Sequence, residues 1–408
     1  MLLSPAAVVW ALDIQLESDT IFRFYERTTS ENVEEQASPV YEYLSGRVGD
    51  PESISFNFHG WGRFTLGEES FFDDKEEGEV VYGYLQLKPG VQDWVFRVGR
   101  QAVFTSVANE YLDGLRVYGS LPANFSFDIY GGLATVFEDD DGRSGDGLIG
   151  GRLGHRMDGV YDIGVAYKKM GNDGDKQSER FAVDTFVNLP FLAGAGLSGY
   201  SVVNLISDGW AEHSYEVSLP FERYLFQVSF NRFNYEDYFD EDLKAPGPFR
   251  FLSDSDEVVT QLEGRFSWWV SDDIDLSAQA ILYDYDVRDE SASFISALLS
   301  YRGLSLFDKN LEIGGELGAM TGDTDDNRYT RIRGYAVWEP SFAVVSADCE
   351  YVAYEEEIYR QDYSVFASLS LMRQLTEDFS MSVSADASSD PYFDEDYRGL
   401  VVVKYVFD

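Results

Sequence analysis

The chain is built from short segments in which apolar and polar residues alternate. In 54–66, Ile54, Phe56 and Phe58 alternate with Ser55 and Asn57, and the segments 181–189, 274–282 and 379–387 repeat the same period of two. That period is typical of β-strands with one apolar and one polar face. Twenty-two such segments follow one another, from 20–27 to 396–407; the first two are the weakest, so a count of twenty or fewer also fits.

The connections between these segments are short and long in turn. The short ones are 88–93, 155–158, 219–222, 270–273, 338–341 and 373–377, and the long, acidic ones are 67–79, 133–146, 168–178, 234–256, 321–328, 355–362 and 388–396. Transmembrane barrels of bacteria have short periplasmic turns and longer extracellular loops. The sequence therefore predicts an all-β fold: one large transmembrane antiparallel up-and-down β-barrel of about 22 strands. A soluble aromatic-rich β-sandwich explains the strand pattern but not the sorting of the loops.

Composition agrees with a barrel in a membrane and narrows the choice of partners. The 408 residues include 27 Tyr, 30 Phe and 36 Gly, and outer-membrane barrels carry aromatic girdles at both membrane interfaces. The formal net charge of −42 argues against a nucleic-acid partner, because phosphate contacts require clustered Lys and Arg. The acidic residues concentrate in the long loops, where divalent cations held near lipopolysaccharide phosphates would relieve the repulsion between them. Simple solvation of exposed loops is the alternative.

The ends of the chain also fit an exported protein. Residues 1–11 are apolar with Ala11 as a cleavage residue, which predicts a truncated signal peptide followed by a barrel over 12–408. No run of 18 apolar residues occurs, so a transmembrane helix is not expected. The expected location is the bacterial outer membrane, with its lipid and lipopolysaccharide as surroundings.

A barrel of this size raises the question of what fills its lumen. Barrels of 16 to 18 strands leave a water channel, whereas 22-stranded transporters have a plugged lumen. Only about twenty residues precede the first predicted strand, so the expected fillers are the chain's own loops or another protein. The segment 101–112 is less acidic than the other long loops. It is expected either to fold into the barrel as a constriction or to pack on its rim.

Strand parity and this segment together give a set of candidate pore residues. They are Arg63, Arg97, Arg100, Gln101, Glu110, Tyr111, Asp113, Arg116, Arg152, Asp184, Glu263, Arg265, Arg331 and Arg333. Charges of both signs across a lumen would favour polar solutes, and an acidic mouth would favour cations. Alternatively, these charges pair with their neighbours and only hold the wall together.

Four short motifs carry a resemblance to a known class of protein. They are 58–63 (FHGWGR), 83–87 (GYLQL), 98–101 (VGRQ) and 112–119 (LDGLRVYG). Over residues 54–131 the chain resembles outer-membrane porins, in which a Gly-Arg-Gln strand end precedes a loop and an Asp-Gly-x-Arg strand start. It is most similar to porin-like barrels of metal-reducing bacteria, some of which sheathe a periplasmic multihaem cytochrome. The resemblance implies that Arg100 and Gln101 begin a constricting loop.

These observations leave two leading functions. The first is an outer-membrane channel for passive diffusion of ions and small polar solutes, with a preference for cations. The second is a structural sheath around a cytochrome; the chain contains no Cys-x-x-Cys-His and would carry no haem itself. An adhesin or receptor role for the long loops is a third reading. No nucleophile, zinc or phosphate-binding motif occurs, so neither an enzyme nor a cofactor is predicted.

Overall fold

Twenty-two strands follow one another along the chain, as the sequence predicts. The computed structural model describes residues 13–29, 34–66, 74–90, 93–135, 145–172, 175–190, 192, 194–239, 256–324 and 328–407. The strands are β1 (Ile14–Thr29), β2 (Glu34–Gly49), β3 (Ile54–Leu66), β4 (Glu76–Leu87), β5 (Val95–Phe104), β6 (Asn109–Leu121), β7 (Phe125–Thr135), β8 (Gly147–Met157), β9 (Tyr161–Asn172), β10 (Asp175–Leu189), β11 (Ala195–Asn204), β12 (Gly209–Pro220), β13 (Tyr224–Asn234), β14 (Val258–Trp269), β15 (Ile274–Tyr285), β16 (Glu290–Leu306), β17 (Lys309–Gly322), β18 (Tyr329–Trp338), β19 (Val344–Ile358), β20 (Gln361–Gln374), β21 (Phe379–Ser389) and β22 (Phe393–Phe407).

All the strands belong to one sheet, and that sheet is closed. Each strand pairs antiparallel with the next, and β1 also pairs with β22 from Leu16–Phe407 to Thr29–Phe393. The predicted all-β barrel of 22 strands is therefore confirmed. Strands β1 and β2, the weakest in the sequence pattern, pair along almost their whole length, from Ile14–Val48 to Thr28–Glu34. Closure leaves no sheet edge open, as a membrane-spanning sheet requires.

The two faces of the sheet differ in polarity. The outer face carries the exposed apolar side chains, such as Phe56 on β3, Leu85 on β4, Val98 on β5, Leu115 on β6 and Val183 on β10. Exposed large apolar side chains all round a sheet are the mark of a surface that meets lipid. The opposite parity faces the lumen.

Aromatic residues gather at both ends of the outer face. The turn end is the end at which β1 begins and β22 finishes, and the loop end is the opposite one. Exposed aromatic side chains near the turn end include Phe221, Phe307, Phe342 and Phe407, and near the loop end Trp210, Tyr359, Tyr363 and Tyr392. By the rule for bacterial barrels the turn end is periplasmic.

Several segments that the sequence predicts to be long loops are instead parts of strands. Segments 168–178, 355–362 and 388–396 belong mostly to β9 and β10, β19 and β20, and β21 and β22. The β19–β20 connection is only Tyr359 and Arg360, both with positive φ, as in a tight two-residue hairpin. A strand needs roughly 10 residues to cross a bilayer, whereas β19 has 15. Where a strand extends beyond the lipid, acidic side chains destabilise it little. The polarity of the sequence therefore does not indicate where these strands end.

Helical structure is confined to α1 (Tyr235–Phe239) among the described residues. No described helix is both long enough and apolar enough to cross a membrane. The predicted signal peptide at 1–11 and most of the predicted loop 234–256 lie outside the described residues.

Candidate functional site: a pore constriction

The wall opens between β4 and β5 toward the loop end. The β4–β5 ladder has only five pairs, from Leu87–Phe96 to Gly83–Arg100, although β5 continues to Phe104. At the last pairs Gly99 has a φ of +123°, and a side chain there would collide with the backbone oxygen of Gly83. Glycine is required by both the backbone conformation and the close approach. Beyond this point the β5–β6 hairpin is free to leave the wall.

Two residues of the predicted motif hold this junction. The Arg100 guanidinium donates to the carbonyl oxygen of Val80 at 3.0 Å and forms two hydrogen bonds with Asp113, at 3.0 and 3.1 Å. Its Nη1 lies 3.6 Å from a Glu79 carboxylate oxygen. Arg100 thus satisfies a backbone acceptor on β4 where the ladder to β5 has ended. The structure places Arg100 and Asp113 at this junction between wall and hairpin.

The hairpin tip packs against the inner face of the barrel. Its side chains Val103, Ala108 and Leu112 form a buried cluster with inward residues of β7, β8 and β9. Those partners are Tyr130, Ala134, Leu148 and Met170. The segment 101–112 therefore folds into the barrel rather than onto its rim. It does so as the end of a β-hairpin with a four-residue turn, 105–108, and not as an irregular loop.

Farther along the wall the turn itself is buried. Val107 is 4% exposed and packs with small inward residues of β9 to β12: Ala166, Ala182, Val202 and Ala211. Small side chains at these positions make room for the hairpin inside the barrel. Because one face of the hairpin lies on the wall, the face that carries Phe104 and Tyr111 is turned toward the pore.

Polar contacts fasten the hairpin to the wall. Ser106 donates to Asp184 on β10 at 3.1 Å, and Lys168 on β9 donates to Glu110 at 2.6 Å. The Lys168 and Glu110 side chains are 3% and 9% exposed, so this ion pair is buried. Gln101, also fully buried, reaches the carbonyl oxygen of Gly114 at 3.4 Å. A buried pair with both partners in place fixes one position of the hairpin.

Arg152 is the centre of a charged cluster under the hairpin. Its guanidinium donates to Asp184 at 2.5 to 3.0 Å and to Asp162 at 2.7 Å. The guanidinium lies flat over Gly164, where a Cβ would be 2.5 Å from it. Since Asp184 also accepts the Ser106 hydroxyl, the cluster joins the hairpin to strands β8, β9 and β10.

Helix α1 reaches the same part of the inner wall. Tyr238 packs against the Val107 cluster, and the Arg180 guanidinium lies 4.5 Å from its ring centroid. Arg180 also donates to the Tyr238 carbonyl oxygen, and Asn204 donates to that of Asp237 at 2.7 Å. Two segments from the loop end therefore meet on the inner face of β9 to β12.

The remaining candidate residues pair with neighbours in the wall. Arg63 contacts Glu77 at 2.8 Å, Arg116 contacts Asp128 at 2.6 Å, and Arg265 contacts Glu263 at 2.8 Å. Arg333 contacts Asp348 at 2.6 Å, and Arg331 pairs with Glu316. Arg97 instead donates to Gln86 at 3.0 Å and lies between the rings of Tyr84 and Tyr118. These pairs run along the wall, which matches the alternative in which the charges stabilise it.

Some functional residues were not singled out by sequence reasoning. Lys168 and the alanines at 166 and 182 contact the hairpin, and Arg180 contacts Tyr238 of α1 beside it. The alternation of apolar and polar residues in β9 and β10 indicates that these side chains face the lumen. Nothing in the alternation indicates that the β5–β6 hairpin would rest on them.

The loop end is also fastened beside β14. Glu257, fully buried, accepts hydrogen bonds from the Val258 and Val287 amides at 3.0 and 2.9 Å and from Arg288 at 3.1 Å. Burial alone would raise the pKa of Glu257, but these donors outweigh it and lower the pKa below its ordinary value. The carboxylate form thus holds the 286–289 turn to the start of β14.

Comparison with known proteins identifies the fold. No protein-family model matches the chain, and no curated protein matches its sequence. The siderophore receptor PirA from Pseudomonas aeruginosa is 12% identical with a TM-score of 0.56, over 96% of this chain and 80% of the receptor. A mutant of the ferric enterobactin receptor PfeA from the same organism is 11% identical with a TM-score of 0.56, again over 96% and 80%. OpdO from Pseudomonas aeruginosa is 10% identical over 97% of both chains, with a TM-score of 0.46.

At such identities the similarity concerns the fold alone. The siderophore receptor and the ferric enterobactin receptor each align with 96% of this chain. Together with the apolar outer face and the two aromatic girdles, this makes the chain a closed 22-stranded β-barrel of the bacterial outer-membrane type.

Proposed function

We propose that the chain is a passive outer-membrane channel through which ions and small polar solutes diffuse. The observation that carries the proposal is the hairpin tip, which rests on one side of the inner wall, on β7 to β12. On β14 to β22 several inward charges pair with adjacent wall residues, as Arg333 does with Asp348. A polar wall with a one-sided constriction is the arrangement of a selective pore.

We further propose a preference for cations. Toward the loop end of β19 to β22 a cavity of about 260 Å³ is lined by Glu350, Asp386, Asp390, Asp396 and Arg398. Arg398 pairs with Asp396, so the other three carboxylates leave the cavity negative. A negative mouth raises the local concentration of cations.

The test is conductance in planar lipid bilayers with the purified full chain. In a KCl gradient we expect a stable open-channel current whose reversal potential is displaced toward the equilibrium potential of K⁺. Replacing Glu350 and Asp386 with glutamines should reduce that displacement, whereas replacing Glu312 with glutamine, on the wall nearer the turn end, should change it less. Absence of any conductance from correctly folded protein would rule out the channel.

The inward hairpin also bears on the cytochrome sheath. A cylindrical partner inside the barrel would need the volume that the hairpin and α1 occupy beside β7 to β12. Purification from native membranes followed by an absorption spectrum distinguishes the two functions. We expect no c-type haem bands; a stoichiometric cytochrome would replace the channel with the sheath.

A further inference from the structure

A band of aromatic rings crosses the inner face of β2, β3 and β4. We call it the aromatic strip: Tyr41, Tyr43, His59, Trp61, Tyr82 and Tyr84. Centroids of neighbouring rings are 5.5 to 6.3 Å apart, from Tyr41–Tyr43 and Tyr43–His59 to His59–Tyr82 and Tyr82–Tyr84. Trp61 joins it 6.3 Å from Tyr41. The rings thus form a continuous contact surface rather than isolated residues.

The strip runs along the pore as well as around it. Tyr41 lies toward the loop end of the barrel on β2, Tyr43 pairs with Trp61 and His59 with Tyr82 in the middle, and Tyr84 lies nearer the turn end. Two guanidiniums stand at its ends: Arg23 lies 5.3 Å from the Tyr41 centroid, and Arg97 lies 4.7 Å from that of Tyr84. Along β3 the strip extends from the level of Arg63, which pairs with Tyr41, to the level of Asn57, which pairs with Tyr84.

Wall stability does not account for this strip. The rings are half-buried, so part of each one meets the lumen. The contacts that seat the hairpin are on β7 to β12, so the strip is not its packing surface. A water-facing wall is satisfied by small polar side chains, as β21 shows with inward Ser382 and Ser384. A run of half-buried rings that face the lumen instead favours a solute with an apolar face.

The charges around the strip select the class of solute. Arg23 and Arg97 at its ends disfavour a cation. Asp19 pairs in register with Tyr43 and Glu79 with Trp61, and these carboxylates disfavour an anion. Tyrosine hydroxyls and the Arg97–Gln86 pair offer hydrogen bonds beside the rings. Resting on the proposed channel function, we propose that the strip binds neutral saccharides, whose C–H faces stack on the rings while their hydroxyls are hydrogen-bonded.

The experiment is block of the open-channel current by maltohexaose, with polyethylene glycol of similar size as a probe without sugar rings. The chain offers a matched control, because Tyr283 and Tyr285 form a second inward stacked pair on β15, with centroids 6.4 Å apart. We expect the Tyr82→Leu/Tyr84→Leu variant to bind maltohexaose about thirtyfold more weakly, since it loses two aromatic contacts of roughly 1 kcal/mol each. The Tyr283→Leu/Tyr285→Leu variant should bind like the parent.

The possible outcomes distinguish a failure of the proposed saccharide site from a failure of the proposed channel function. Folded protein without any conductance would overturn the channel function itself. Conductance without block by maltohexaose, or equal block by polyethylene glycol, would overturn only the strip, as would equal losses in the two double variants. Should Tyr82→Leu/Tyr84→Leu fail to fold, the single Trp61→Leu variant is measured instead, with an expected loss of several-fold.

Discussion

Ser106 in the β5–β6 turn donates a hydrogen bond to Asp184 on β10; the two oxygens are 3.1 Å apart, and the two residues are 78 positions apart in sequence. The same carboxylate accepts hydrogen bonds from Arg152. The hairpin tip therefore ends on a charged cluster that three strands share. Residues of the wall, as well as residues of the hairpin, therefore determine where the hairpin tip lies.

Placing a charge in the buried part of the turn should release the hairpin. Val107 is 4% exposed among four small wall residues, and an aspartate there would be desolvated without a partner. We expect Val107→Asp to weaken the packing by at least about 2 kcal/mol and to give larger, noisier single-channel currents.

Asn109→Asp is the matched control, since it adds the same charge at an exposed position of the same hairpin. Its currents should resemble those of the parent. Equal currents from Val107→Asp and the parent would mean that the hairpin does not narrow the pore.

The buried Lys168–Glu110 pair should show strong coupling. Lys168→Met alone leaves the Glu110 carboxylate buried without the ammonium 2.6 Å away, which should cost about 3 kcal/mol of unfolding free energy. The double variant Lys168→Met/Glu110→Leu should recover most of that loss. Urea unfolding in detergent micelles measures the unfolding free energy of the single variants and of the double variant. A double variant whose loss equals the sum of the losses in Lys168→Met and Glu110→Leu would contradict the coupling.

Arg100 should hold the junction between β4 and β5. Arg100→Leu removes the donor to the Val80 carbonyl and both hydrogen bonds to Asp113, which should cost about 1–3 kcal/mol locally. Hydrogen exchange followed by mass spectrometry should then quicken in β4 and β5. Arg265→Leu, which loses a half-exposed pair within β14, is the comparison, and equal exchange in β4 for both would refute the role.

The fastening by Glu257 should depend on pH. Its folded-state pKa lies below the ordinary 4.5, so the stabilisation is complete above that value and is lost as the pH falls through the folded pKa. We expect amides of the 286–289 turn to exchange faster, relative to other turns, below about pH 4.

Glu257→Gln should exchange quickly there already at neutral pH and show little further change in acid. Asp289→Asn, an exposed position in the same turn, should keep the parent's pH dependence. If amide exchange in this turn still depended on pH in Glu257→Gln, the pH dependence would come from another titratable group.

Period-two alternation made the strands readable from the sequence, because lipid and water impose opposite demands on successive residues. Phe56 and Asn57, or Val183 and Asp184, show those demands directly. Loop lengths were misjudged because Glu355 to Glu357 remain on β19 beyond the lipid, where polarity no longer reports structure. The inward direction of 101–112 was one of two expectations, but its seat on Ala166 and Ala182 depends on curvature that alternation does not encode. The sequence indicates the aromatic strip by rings two residues apart, at Tyr41 and Tyr43, His59 and Trp61, and Tyr82 and Tyr84.

The pairing of β1 with β22 closes the barrel. Leu16 meets Phe407, and the ion pair of Glu17 with Lys404 lies across the same join. Until the last strand arrives, the first strand has an open hydrogen-bonding edge that could capture a strand of another molecule. The two strands that seal this edge are the first and the last of the sheet, so no local hairpin can take the place of the β1–β22 pairing. The edge of β1 is therefore protected only once the whole barrel has formed.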